Sequence, residues 1–253
     1  MPFVENNVIK IHYQVVGDGM PLILQHGNTS SLEAWKYAGY IERLAEHFKV
    51  IAVDARGHGK SSKPYEPEDY TLEKRASDII SVLDQEKIDF SHYWGYSMGG
   101  WIGYGIMKYH SKRFNRFIIG GAQPYESSGL VNSFNAWLEK GMPFFVEKIE
   151  AMFGRLTTVV KESMLKNDPK ALIANSTLPR TDISADIYKL DLPCLLYAGN
   201  KDPIFSQIKT CAENMLQCEF VTLNNVDHNQ AFLRSDLILN KAIDFLRFTK
   251  VEN

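Results

Sequence analysis

The stretch FSHYWGYSMGG, residues 90–100, decides the fold, because an apolar run leads through Gly95-x-Ser97-x-Gly99 into small residues. The first half of this stretch is typical of a strand, and the composition of residues 101–110 is typical of a helix. A chain that turns sharply from strand to helix holds the residue at its tip, Ser97, in a strained conformation with an exposed hydroxyl. Residues 95 and 99 then crowd each other, which explains glycine at both positions.

Strand patterns alternate with helical patterns along most of the chain. Alternating or continuous apolar runs predict strands at residues 9–15, 21–25, 49–54, 117–122, 194–198 and 219–223. Apolar residues at helical spacing lie between them, at residues 37–48, 72–83, 204–215 and 237–246. This order predicts an α/β fold, with a mostly parallel sheet and helices on both faces.

The alternation stops once, between residues 124 and 187. This segment has no strand pattern but carries apolar residues at helical spacing, such as Phe145, Ile149 and Met152. We therefore expect a core formed by residues 1–123 and 188–253, with residues 124–187 inserted as a helical unit.

The composition excludes several classes of function. The chain has 253 residues, 45% of them hydrophobic, and a formal net charge of −2. A nearly neutral chain has no electrostatic footprint for nucleic acid or an anionic membrane. The three cysteines (Cys194, Cys211 and Cys218) match no zinc spacing and indicate a reduced, cytoplasmic protein. No signal peptide is recognisable, and the longest apolar runs are too short to span a membrane.

A serine hydroxyl is a weak nucleophile and needs a nearby base, for which seven histidines compete. His228 lies in a polar segment, residues 224–230, after the last predicted strand. Loops that follow strands meet at the carboxyl edge of a parallel sheet, where Ser97 also lies. We therefore predict His228 as the base. The histidines with no obvious route to Ser97 are His12, on the polar side of a strand, His47, His92 and His110.

The acid that orients the base should also follow a strand. Asp202 comes directly after the strand predicted at 194–198, where it could accept a hydrogen bond from His228 and hold its tautomer. Alternatively, Asp202 caps a helix whose first residue is Pro203. Asp227 adjoins His228 in sequence and is poorly placed to reach its ring, and Glu126 is a more distant alternative.

Together these motifs resemble the α/β-hydrolase fold superfamily, specifically its small, cap-bearing, serine esterase-like members. The resemblance covers essentially the whole chain and rests on residues 25–28 (QHGN), 54–59 (DARGHG), 95–100, 199–203 and 227–228. It implies a triad in the order Ser97, Asp202, His228. It also implies an oxyanion hole formed by the backbone N–H groups of Asn28 and Met98, and a cap formed by the insertion.

The resemblance implies a hydrolase that cleaves a small, apolar carboxylic ester through an acyl-enzyme. We expect a small-molecule substrate, no metal and no organic cofactor, and we make no prediction of the oligomeric state. The same triad could instead hydrolyse a C–C bond in a diketone or act in perhydrolysis, or the pocket could serve a ligand-sensing protein with little turnover. Dehalogenases and epoxide hydrolases of this fold use an aspartate nucleophile, which Ser97 argues against.

Overall fold

The computed structural model describes residues 2–126, 131–153 and 155–248. Its strands are β1 (Phe3–Asn6), β2 (Ile9–Val16), β3 (Met20–Gln25), β4 (Phe48–Val53), β5 (Ser91–Tyr96), β6 (Phe114–Gly120), β7 (Cys194–Gly199) and β8 (Cys218–Leu223). They form one sheet in the order β1-β2-β4-β3-β5-β6-β7-β8. β2 pairs antiparallel with β1 and β4, and all other neighbours are parallel. The predicted fold class is confirmed.

Helices cover both faces of this sheet. They are α1 (Glu33–Tyr37), α2 (Tyr40–Ala45), α3 (Leu72–Gln85), α4 (Met98–His110), α5 (Val131–Leu138), α6 (Met142–Phe153), α7 (Thr158–Leu165), α8 (Pro169–Thr177), α9 (Ser184–Ile187), α10 (Phe205–Asn214), α11 (His228–Leu233) and α12 (Leu239–Arg247). Helices α3, α4 and α10 pack on one face, and α1, α2, α11 and α12 on the other. β3 shows why its apolar run is continuous: Leu22 and Leu24 face one core, and Ile23 faces the other.

Helices α5 to α9 lie between β6 and β7. Apolar residues of α5 to α8, including Phe145 and Ile149, form a small core of their own. Helix α9 instead packs on the main core through Ile187. The helical character of the segment agrees with its apolar spacing, while the domain boundaries at 124 and 187 stay a prediction.

Several local predictions differ from the structure, three of them in the sheet and its first helices. The short edge strand β1 was not predicted. The helix predicted over 37–48 is interrupted at Gly39, which has a φ of +77° and precedes α2, and Phe48 already belongs to β4. His12, predicted on the polar side of its strand, is only 1% exposed, because the loop after β4 covers it. There its Nδ1 lies 2.7 Å from Oδ2 of Asp54.

Within the described ranges, no helix combines the length and the apolar character needed to cross a membrane.

Candidate active site

Ser97 occupies the turn between β5 and α4. Its φ of +53° and ψ of −112° are strained for a residue with a side chain. Two backbone hydrogen bonds hold this conformation: Ser97 N–H donates to Gly120 O at 2.8 Å, and Trp101 N–H donates to Ser97 O at 3.0 Å. The turn therefore fixes the serine at the carboxyl edge of the sheet.

The glycines on either side of Ser97 are required by close backbone packing. A Cβ at Gly95 would overlap the carbonyl group of Gly99, as the sequence predicted. A Cβ at Gly99 would instead overlap the carbonyl oxygen of Gln25, at the end of β3. Gly99 is therefore required by its close contact with the end of β3. The motif alone does not indicate this contact.

His228 lies between Ser97 and Asp202. Its Nε2 is 3.0 Å from Ser97 Oγ, and its Nδ1 is 2.6 Å from Asp202 Oδ2. Since the carboxylate accepts a hydrogen bond from Nδ1–H, we assign the Nδ1–H tautomer, which leaves Nε2 free to accept the serine proton. The structure thus brings together the three side chains chosen from the sequence. His228 does not lie in a loop, however, but is the first residue of α11.

Asp202 makes two contacts with its two carboxylate oxygens. While Oδ2 accepts from His228, Oδ1 accepts the backbone N–H of Ile204 at 3.0 Å. Helix α10 begins at Phe205, so Pro203 lies in the preceding turn and not at the first helical position. Asp202 therefore contacts His228 and holds the turn before α10, but it does not occupy the helix-cap position considered as its alternative role, because the N-cap residue is Ile204.

The alternative carboxylates lie elsewhere. Asp227 caps α11: its side chain accepts the N–H of Gln230 at 2.8 Å, and the Gln230 side chain accepts the N–H of Asp227 at 3.1 Å. Glu126 is exposed. The described residues contain no group of three His, Cys, Asp or Glu side chains that could hold a metal.

Backbone contacts between the loops after β7 and β8 bring Asp202 and His228 together. Asn200 N–H donates to Leu223 O at 2.9 Å, and Lys201 N–H donates to Val226 O at 3.1 Å. A Cβ at Gly199 would overlap the same Val226 oxygen. The close approach of the two loops therefore depends on Gly199. The sequence does not indicate this contact with the loop after β8.

Two further residues hold the ring of His228, and the sequence analysis missed both. The hydroxyl of Tyr96 donates to the carbonyl oxygen of His228 at 2.5 Å, and the two rings lie 5.4 Å apart. On another side, Gly121 has a φ of +59°, and a Cβ there would lie 2.9 Å from His228 Cε1. The pair Gly120-Gly121 at the end of a strand is the sequence feature that could have indicated a close approach.

The residues predicted to supply the oxyanion donors belong to the start of α4 and to the turn after β3. Met98 is the first residue of α4, and Asn28 follows Gly27, whose Cβ position is 3.3 Å from Ser97 Cβ. His26 holds this turn: its Nδ1 donates to Gly27 O at 2.7 Å, and its Nε2 accepts from Ala55 N–H at 3.1 Å. Burial lowers the pKa of His26, so the ring is neutral and structural.

A family model described as the alpha/beta hydrolase fold matches residues 20–161. The chain belongs to this family. A curated relative of this hydrolase, 3-oxoadipate enol-lactonase 2 of Acinetobacter baylyi, is 25% identical over 255 residues, covering 88% of this chain and 90% of the relative. A 2-hydroxy-6-oxo-6-(2'-aminophenyl)hexa-2,4-dienoic acid hydrolase of Metapseudomonas resinovorans is 33% identical over 131 residues, covering 51% of this chain and 43% of the relative.

Solved structures have the same fold. The crystal structure of the enol-lactonase from Burkholderia xenovorans matches this hydrolase with a TM-score of 0.87, at 22% identity, over 98% of this chain and 100% of that one. Together, the family and its relatives indicate enzymatic hydrolysis of a small molecule.

In this hydrolase the insertion reaches the turn that carries Asn28. Asn175 of α8 donates from Nδ2 to Asn28 Oδ1 at 3.2 Å, and His58 Nε2 lies 3.0 Å from the same oxygen. Asn175 is held in turn by Arg75, whose guanidinium donates to its side-chain and backbone oxygens, each at 2.7 Å. A chain of hydrogen bonds therefore connects the inserted helices to the wall of the site.

Proposed function

We propose that the chain is a serine hydrolase that cleaves a small carboxylic ester through an acyl-enzyme. The observation that carries this proposal is the pair of short contacts from His228, to Ser97 on one side and to Asp202 on the other. In this arrangement His228 removes the hydroxyl proton as Ser97 attacks the ester carbonyl, and Asp202 stabilises the imidazolium that forms. His228 then protonates the leaving alcohol, and water activated by the same ring releases the acid.

The negative oxygen of the tetrahedral intermediate needs fixed donors. We assign this role to the backbone N–H groups of Asn28 and Met98, because Asn28 follows Gly27, which packs against Ser97, and Met98 begins a helix whose dipole favours negative charge. One such donor is typically worth about 3 kcal/mol in the barrier. No step of this mechanism calls for a metal or an organic cofactor.

We also propose that residues 124–187 form a cap over the site. The contact of Asn175 with Asn28 supports this, since it joins an inserted helix to the turn beside Ser97. The three cysteines are free, which fits the cytoplasmic location that we propose.

The test compares Ser97→Ala with Ser206→Ala on a panel of p-nitrophenyl esters. Ser206 is exposed on α10 and serves as the matched control. We expect Ser97→Ala to lose at least about 10³-fold in kcat and to lose labelling by a fluorophosphonate probe, while Ser206→Ala keeps both. Turnover that survives in folded Ser97→Ala would remove Ser97 from the mechanism.

C–C bond hydrolysis is a second candidate, because a relative named as a dienoic acid hydrolase matches half of the chain. The same triad could also perform perhydrolysis. A panel that adds a vinylogous diketone, and hydrogen peroxide with acetate, separates these reactions from ester cleavage. If probe labelling at Ser97 occurs without turnover of any substrate, the ligand-sensing alternative is favoured.

A further inference from the structure

The turn formed by residues 27–29 carries the proposed oxyanion donor and depends on contacts from outside itself. Gly27 has no side chain to anchor, and a Cβ there would lie 3.3 Å from Ser97 Cβ. Thr29 has a φ of +58°, which is strained for a β-branched residue. A conformation of this kind costs about 1–3 kcal/mol and persists only where the surrounding structure holds it. Residues 28 and 29 must therefore be held by other segments.

Two asparagines of the insertion hold this turn. Asn175, on α8, donates from Nδ2 to Asn28 Oδ1 at 3.2 Å. Asn167, between α7 and α8, donates from Nδ2 to Thr29 O at 2.8 Å. The contacts fall on consecutive residues of the turn, and each asparagine is more than 130 residues away in the chain. The conformation of the turn therefore depends on the docked insertion.

The orientation of the Asn175 amide is fixed by Arg75 of the core helix α3. A guanidinium has only donors, so the atom that Arg75 Nη1 meets at 2.7 Å is Oδ1 of Asn175. The amide nitrogen of Asn175 therefore faces Asn28, which presents its oxygen. Arg75 also donates to the backbone oxygen of Asn175 at 2.7 Å. Because Asn175 is only 8% exposed and is held at two points, it is a rigid donor.

The anchored side chain of Asn28 bears on the direction of its backbone N–H. The peptide group between Gly27 and Asn28 is planar, so its N–H points away from its carbonyl oxygen. That oxygen accepts from His26 Nδ1 at 2.7 Å, which holds one end of the peptide group. The contact of Asn175 with the Asn28 side chain holds the other end. Loss of this second contact leaves the N–H free to swing.

We propose that Asn175 is a positioning residue: through the side chain of Asn28 it holds the Asn28 N–H where the oxyanion forms. Helix α8 of the insertion thus completes the oxyanion hole. This inference rests on the proposed function and deepens it by adding a residue that never touches the substrate. Asn167 supports the same turn, but it also donates to Met164 O at 3.0 Å at the end of α7, so the test uses Asn175.

The test measures Asn175→Asp on p-nitrophenyl hexanoate. Aspartate has the size of asparagine, keeps an acceptor for Arg75 and pairs that buried guanidinium with a carboxylate, so the variant should fold. It has no N–H to donate to Asn28. Since a misplacement of about 1 Å can lower a rate by about 10²-fold, we expect kcat to fall by about 10- to 100-fold. KM should change little, because the contact acts only in the transition state.

A double-mutant cycle with Asn28→Ala shows whether Asn175 acts through Asn28. Alanine at position 28 removes the anchored side chain but keeps the backbone N–H, so this variant should lose about as much kcat as Asn175→Asp. Adding Asn175→Asp to it should cost nothing further. A charge effect of the new aspartate on the oxyanion would instead lower kcat again in the Asn28→Ala background. Additive losses, or no loss in Asn175→Asp, overturn the inference.

Two controls separate positioning from a general loosening of the insertion. Tyr65→Phe removes another hydrogen bond between core and insertion, from the Tyr65 hydroxyl to Asp168 Oδ2 at 2.9 Å, and should keep wild-type kcat. The trifluoromethyl ketone with a hexanoyl chain forms an oxyanion with the nucleophile, so Asn175→Asp should weaken its binding by the same factor as kcat/KM. An equal loss in Tyr65→Phe, or unchanged affinity for the ketone, overturns the inference.

Ser97→Ala distinguishes a failure of this inference from a failure of the proposed function. Ester hydrolysis that is lost in Ser97→Ala but not in Asn175→Asp supports the serine mechanism and overturns the role of Asn175. If the wild-type chain cleaves no ester, the rate of Ser97 labelling by the fluorophosphonate probe decides, because the phosphonyl oxygen needs the same donors. A fall of about 10-fold or more in Asn175→Asp supports the inference. An equal rate overturns it, and no labelling of the wild type overturns both.

Discussion

Alanine in place of Gly121 should impair turnover far more than folding, because Gly121 packs directly on His228. A Cβ at this position would lie 2.9 Å from His228 Cε1 and 2.9 Å from Tyr96 Cζ. Non-bonded carbon atoms prefer about 3.5–4.0 Å, so each of the two contacts must lengthen by roughly 0.6 Å. Tyr96 is buried and bonded to the His228 carbonyl, whereas the His228 side chain is 30% exposed. The displacement therefore falls mainly on the imidazole.

The expected loss of activity follows from the contact that this movement breaks. His228 Nε2 is 3.0 Å from Ser97 Oγ, and a productive contact between base and nucleophile extends to about 3.2 Å. Since a misplacement of about 1 Å can lower a rate by about 10²-fold, we expect kcat/KM to fall by about 10- to 100-fold. The positive φ of Gly121 adds about 1–2 kcal/mol of destabilisation for any residue with a Cβ.

Gly39→Ala is the matched control for this substitution. Gly39 also has a positive φ, +77°, but the nearest atom to its Cβ position is Ser235 Oγ at an ordinary 3.7 Å. Both variants should therefore lose the stability that a positive φ costs, Gly121→Ala should lose more in urea unfolding because of its two overlaps, and only Gly121→Ala should lose turnover of a p-nitrophenyl ester. Wild-type kcat/KM in Gly121→Ala, with a stability loss no larger than in Gly39→Ala, would refute the argument that Gly121 positions His228.

Three other substitutions test the site and its support. Asp202→Asn should lower kcat by about 10³- to 10⁴-fold, because the amide favours the wrong histidine tautomer. Its stability in urea should change little, since Oδ1 can still accept the N–H of Ile204. Near-normal turnover would contradict the role of Asp202. Asp78→Ala leaves the guanidinium of Arg56 buried without its carboxylate, so we expect the free energy of unfolding measured in urea to fall by about 3–5 kcal/mol. A fall below about 1 kcal/mol would contradict this expectation. Burial lowers the pKa of His92 from 6.5 to about 4 in the folded protein. Between these two pH values the ring takes up a proton only on unfolding, so the free energy of unfolding falls as the pH drops from 6.5 to about 4. His92→Gln should remove about 3 kcal/mol of this pH dependence, and identical pH profiles for the two proteins would argue against it.

Features set by short-range pattern could be predicted from the sequence. Residues 22–24 are apolar throughout because β3 is covered on both faces, and such a run is recognisable without any knowledge of the neighbours. The turn at Ser97 is equally local, since strand, glycines and helix are contiguous. Asp202 and His228 could be chosen because each follows a strand, and the carboxyl ends of parallel strands meet at one edge.

Features set by contacts between distant segments could not be predicted. Tyr96 and His228 are separated by 132 residues, and nothing periodic in either segment indicates that one hydroxyl reaches the other carbonyl. The same holds for Asn28 and Asn175, 147 residues apart. The burial of His12 was missed for a related reason: alternation along a strand predicts which side a residue faces, but not whether a distant loop covers that side.

Asp202 shows why residue-by-residue alternatives can mislead. A side chain that holds a local turn and an acid that orients a histidine look like competing roles only if a side chain is treated as a single group. The carboxylate has two oxygens, and here Ile204 N–H binds one while His228 binds the other. Because the first contact fixes the rotation of the carboxylate, it also directs the second oxygen toward the ring. The local turn is therefore part of what orients the proposed acid.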